Sequence, residues 1–158
     1  MSEIGYNDNV KVYGRKFHVQ TATQTAKGVA SCEVFEEGRL INKNYVTFER
    51  RRRNDEDLME KRIRKVVESI HQETISEIEL MFLIANKIEK IGHAPSHVKL
   101  GLLFIKNNLM LDAINQFKRA IEVNPKEIDA YNNLGMAYIK AGDYLESIKG
   151  LQKAQVGS

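Results

Sequence analysis

His97-x-x-Leu100-Gly101-x-x-Phe104, followed by Ala113-x-x-x-Phe117-x-x-Ala120, decides the fold, because the same pattern returns 34 residues later. The second copy reads Tyr131-x-x-Leu134-Gly135-x-x-Tyr138, then Ser147-x-x-x-Leu151-x-x-Ala154, and Asn124-Pro125 separates the two. Spacings of three and four residues put these side chains on one helical face. Each copy therefore encodes two helices. Glycine inside a helix costs about 1 kcal/mol relative to alanine. Its recurrence at Gly101 and Gly135 predicts that the two helices of each copy pack too closely for a larger side chain. Phe104, Phe117, Tyr138 and Leu151 are the bulky partners, and Ala113, Ala120 and Ala154 are small for the same reason as the glycines. Turns are expected at Asn107-Asn108 and at Gly142-Asp143, where Asp143 and Glu146 form a capping-box-like pair. Pro125 ends the first copy, since it lacks a backbone donor and disfavours helix before it.

A 34-residue period with this grammar resembles the tetratricopeptide repeat. The resemblance covers residues 94–154, with His97 in place of a large aromatic and Ser147 in place of alanine. It implies a two-repeat α-α superhelix whose concave face holds another protein. The family's groove is lined by the first helix of each repeat. Carried over by position, the lining is Val98, Leu102, Ile105 and Lys106, then Asp129, Asn132, Met136, Ile139 and Lys140. Chaperone-binding members clamp a terminal carboxylate with lysine and asparagine. Val98 and Leu102 occupy those places here and only Asn133 matches, so an amphipathic helix or extended apolar segment is the expected partner.

Upstream, two changes of period divide the chain. Residues 1–53 alternate β-branched and aromatic side chains (Val10, Val12, Phe17, Val19, Val29, Cys32, Val34, Tyr45, Val46), broken by Gly14 and by Glu36-Glu37-Gly38-Arg39. That reads as an antiparallel meander of three to four strands. Residues 54–93 shift to a helical period, with Asn54 as N-cap and Gly92 as stop. The phase drifts across Gln72–Thr74, which leaves one long helix of about 35 residues or two with a break there and favours two elements or a bent one; the segment is expected to be a connector packing on both neighbours. The fold class is α+β: a small N-terminal sheet, a helical connector and, over residues 94–158, the two repeats. Phe17-His18-Val19-Gln20-Thr21, the Gly38 hairpin and a helix holding His71 are similar to a small domain preceding such repeats in some bacterial proteins. Two repeats are marginal alone because each buries its apolar face on a neighbour. The connector is expected to serve as one such neighbour. The last helix has nothing to cap it, which leaves Tyr144, Ile148 and Leu151 for a homo-oligomer or a partner.

Net charge is +3, and the excess is one block, Arg50, Arg51, Arg52 and Arg53, met at once by Asp55, Glu56 and Asp57. A solvated junction is the plain reading. Contact of this block with nucleic acid or an acidic surface is the alternative, as a regulator. No apolar run suffices for a membrane span, no signal-like segment opens the chain, and a lone Cys32 suits a reducing compartment, so the cytoplasm is expected. Neither metal spacing nor a glycine-rich phosphate loop occurs. His93 and His97 are parted by Pro95, and Cys32 sits in a strand without a cationic partner, as a core thiol would. No catalytic residue and no cofactor is assigned. The expected role is a non-enzymatic scaffold or adaptor.

Overall fold

The computed structural model describes residues 3–48 and 56–156, and for 143–156 the backbone only. Arg50–Arg53, Asn54 and Asp55 lie outside the described residues, as do the side chains of Tyr144, Ile148 and Leu151. The chain forms two compact units, Met1–Leu83 and Ile84–Ser158, so the connector expected over residues 54–93 is shared between them.

The first unit is a four-stranded antiparallel meander: β1 (Gly5–Val12), β2 (Arg15–Gln24), β3 (Val29–Glu36) and β4 (Arg39–Thr47), in that spatial order. Two of its hairpins close with two-residue turns, Tyr13-Gly14 at φ 46° and 82° and Glu37-Gly38 at φ 49° and 82°. Both central residues at positive φ is the turn whose twist matches that of the strands, and glycine makes the second position cheap. Alternation buries Phe17, Val19, Thr21 and Thr23 of β2 with Ala30, Cys32 and Val34 of β3. That face carries α1 (Glu56–Ile88), whose buried side chains here are Ile63, Val67, His71, Ile78, Met81 and Phe82. Ile63 and Val67 close a core cluster with Ile4 and Ala30, and at the other end the Phe82 ring stands 5.5 Å from that of Phe17.

Of the two courses open for this segment, the favoured break at Gln72–Thr74 is absent and the single long helix is formed: α1 has 33 residues. The polar residues that blurred the phase face inward and are paired. His71 reaches Thr21 and Asp8, and Thr74 donates to the Ile70 carbonyl at 2.8 Å while standing 3.4 Å from the Cys32 Sγ. An interior with polar partners accepts them without breaking the helix.

Glu3 fastens the first strand's approach. Its carboxylate accepts from the Thr25 hydroxyl, the Thr25 backbone N–H at 3.0 Å and the Thr23 hydroxyl at 3.0 Å. The Thr25 hydroxyl first, then the Thr25 N–H, hold its carboxyl below the ordinary 4.5. A pKa lowered in the folded state stabilises above the unfolded value, and that contribution fades as pH falls through the lowered one. Thr25→Val removes the hydroxyl and keeps the N–H. It is expected to move the Glu3 titration in an NMR pH series upward; an unmoved midpoint would refute the assignment.

The second unit holds α2 (Ala94–Lys106), α3 (Met110–Val123) and α4 (Ile128–Val156). Asn107-Asn108 turns α2 into α3 as expected, with Asn108 left-handed at φ 61° and its N–H on the Ile105 carbonyl. Asn124 and Pro125 separate α3 from α4, and Tyr131 donates its hydroxyl to the Pro125 carbonyl at 3.0 Å. The turn expected at Gly142-Asp143 is not formed. The α4 backbone runs through it as a 29-residue helix, because glycine, though unfavourable there, does not forbid helix.

Candidate protein-binding groove

The α2–α3 hairpin is built on one close contact. A Cβ at Gly101 would lie 2.4 Å from Cε1 of Phe117, so the ring occupies the space that only glycine leaves. Phe117, Phe104, Ala113 and Ala120 are all fully buried around it. His97, at the position of the missing aromatic, is buried too; its Nδ1 is 2.9 Å from the Gln116 Oε1 and its Nε2 3.3 Å from the Ile91 carbonyl. The imidazole thus fills an aromatic's place while both ring nitrogens find partners, which burial demands. On the far side of this unit, Arg119 donates to the Glu89 carbonyl and to Glu122.

With α2 and α3 fixed, the repeat positions on α2 and α4 can be placed. Leu102, Asp129, Asn132, Met136, Ile139 and Lys140 are exposed, as is Lys106, and Ile105 is half-buried. Val98 differs from expectation: it is buried and offers nothing to a partner. The reason is the width of the α2 stripe, in which Ala94, Val98 and Gly101 repeat at helical spacing and all turn inward. The remaining apolar positions come in repeat-related pairs, Leu102 with Met136 and Ile105 with Ile139, each 34 residues apart.

The most polar interior lies in the first unit and was not assigned any role from sequence. The His71 Nε2 is 2.7 Å from the Asp8 carboxylate, its Nδ1 is 2.8 Å from the Thr21 hydroxyl, and that hydroxyl is 3.2 Å from the Cys32 Sγ. Carboxylate, imidazole and hydroxyl in this order resemble a nucleophilic triad. Thr21, however, is buried between sheet and helix, where no substrate carbonyl reaches it. One ring nitrogen pairs with Asp8 and the other with Thr21, so the arrangement pins α1 to β1 and β2. Only the alternation that buries Thr21 and the helical register of His71 hinted at it. Among the described residues no three His, Cys, Asp or Glu side chains gather to hold a metal ion, and no helix is long and apolar enough to cross a membrane.

Residues 101–142 match the family model described as a TPR repeat, so this part of the chain is a tetratricopeptide-repeat segment. The chain is also similar to superkiller protein 3 of Schizosaccharomyces pombe, 32% identical over 60 residues, which is 38% of this chain and 4% of that protein. It is similar to the peroxisomal targeting signal receptor of Saccharomyces cerevisiae, 30% identical over 79 residues, 50% of this chain and 13% of the receptor. The chain thus spans a small fraction of the length of either relative. No solved structure matches it significantly.

Proposed function

We propose that this protein is a non-catalytic adaptor that holds another protein by an apolar helix or extended segment laid across Leu102, Ile105, Met136 and Ile139. The observation that carries this reading is the exposure of apolar side chains at equivalent positions of both repeats. A solvated surface has no need of Leu102, Met136 and Ile139 in register, and such a row, edged by Lys106 and Lys140, has the make-up of a peptide groove. The Saccharomyces cerevisiae relative is by name a targeting signal receptor, which supports a binding role. Val98 at the clamp position argues for side-chain burial in preference to terminal-carboxylate capture.

The test is affinity capture from the native lysate with the wild-type chain beside Met136→Glu and Ile139→Glu. Both positions are exposed, so both variants are expected to keep the wild-type circular dichroism. A desolvated charge facing an apolar ligand is expected to lower recovery of the specific partners at least about ten-fold. Equal recovery by folded variants would sink the groove assignment.

A further inference from the structure

The two edges of the sheet are not alike. β1 and β4 flank it, and an edge strand offers unpaired backbone groups along its length. The register of β4 sets Asn44 and Val46 opposite Cys32 and Ala30, on the face that carries α1. Cys32 and Ala30 are buried, whereas every residue of β4 is exposed or half-buried. The reason is the course of α1. His71 reaches Asp8 of β1 and Thr21 of β2, and Thr74 stands 3.4 Å from the Sγ of Cys32 in β3, so the helix lies over the first three strands. At about 100° per residue, its flank on the Thr74 side presents Met59, Val66 and Ile70 and ends at Glu77. Val66 is 46% exposed there, and Met59 and Ile70 are half-buried. The flank toward β1 presents Arg64, Glu68, Gln72 and Glu79 around Ile75. Water satisfies the second flank. The first is an apolar shelf beside a strand edge.

We propose that β4 takes up a further strand from another protein: an extended segment with apolar side chains on one face, over Val66 and Ile70, and acidic side chains on the other, beside Lys43. Backbone pairing at the edge requires the segment to be extended. Alternation sends successive side chains to opposite faces, so one strand meets both demands. Charge selects the acidic partner. β4 carries two cations, Arg39 and Lys43, and no anion. Lys43 stands on the outer face, opposite Glu33 in register and 3.6 Å from its carboxylate, where an acidic neighbour on the free side would complete its surroundings. A second copy of this chain is the poorer occupant. Full antiparallel overlap of two β4 strands is centred on Lys43 and sets the two ammonium groups side by side, and like charges directly opposite are destabilising. The proposal concerns the first unit alone and does not depend on what the groove binds.

The experiment titrates the full, isotope-labelled chain with a capped peptide that alternates glutamate and valine and is as long as β4, followed by NMR. The peptide is expected to shift the β4 amides saturably, with a Kd under about 1 mM, and to leave the β1 amides in place. A peptide alternating lysine and valine is expected to bind at least about ten-fold more weakly. Val66→Glu changes an exposed position, so it is expected to keep the wild-type circular dichroism. It is expected to weaken binding of the glutamate–valine peptide at least about five-fold, by placing a charge against the apolar side chains. Lack of a saturable shift on β4, shifts shared equally by β1 and β4, equal binding of the two peptides, or undiminished binding by Val66→Glu would overturn the proposal. So would β4 amides that move on dilution of the chain without peptide, since the occupant would then be a second copy.

Discussion

Gly101→Ala is expected to unfold the α2–α3 hairpin at denaturant concentrations where the wild-type chain is intact, a loss of about 3 kcal/mol. The added methyl would sit 2.4 Å from the Phe117 ring, and that ring is fully buried with Phe104, Ala113 and Ala120 around it, so it has nowhere to turn. Helix propensity acts the other way, since alanine is favoured over glycine by about 1 kcal/mol. The steric term wins because a contact that short forces backbone displacement. Phe117→Leu supplies the control. It places in the first repeat the residue that the second repeat has at this point, Leu151, and alone it is expected to be destabilising by about 1–2 kcal/mol through lost volume. Combined with Gly101→Ala it is expected to recover part of the loss, a coupling of at least about 1 kcal/mol in a double-mutant cycle. Urea unfolding followed by far-ultraviolet circular dichroism reads all four proteins. Strict additivity would mean that the glycine is not there for the ring.

That contact was legible in sequence because a mid-helix glycine has few reasons to recur, and the hairpins at Gly14 and Gly38 were legible for a similar reason: both turns require positive φ at the glycine. The single course of α1 was not. His71 and Thr74 break the apolar stripe, and only the burial of Thr21 and Cys32 opposite them shows that the polar residues belong inside. Gly142 is ambiguous in a deeper way. Glycine permits a left-handed turn and also tolerates helix, so the residue alone does not decide between them. In the groove, the exposure of Leu102, Met136 and Ile139 follows from repeat position, while Val98 does not, because the wide inward stripe of α2 reaches it.

His71→Ala is expected to be the most damaging single change in the first unit, at about 3 kcal/mol, with α1 loosening from the sheet. Two effects add. The ring is wholly buried, so its removal leaves a cavity, and the Thr21 hydroxyl loses a partner. The Asp8 end counts for less. Its carboxylate is largely solvated, so water replaces the imidazole there, and Asp8→Asn is expected to cost under about 1 kcal/mol. Thr21→Val tests the buried end, leaving Nδ1 without its hydroxyl, and is expected to cost about 1–2 kcal/mol. The double variant His71→Leu with Thr21→Val replaces both polar groups by apolar ones of similar size. It is expected to be more stable than His71→Ala, because no buried donor or acceptor remains unpaired. Amide hydrogen exchange over β1 and β2 reports the same ranking, with the fastest exchange in His71→Ala. If Asp8→Asn proved as harmful as His71→Ala, the energy would lie in the exposed Asp8 contact and the buried hydroxyl would not be the anchor of the helix.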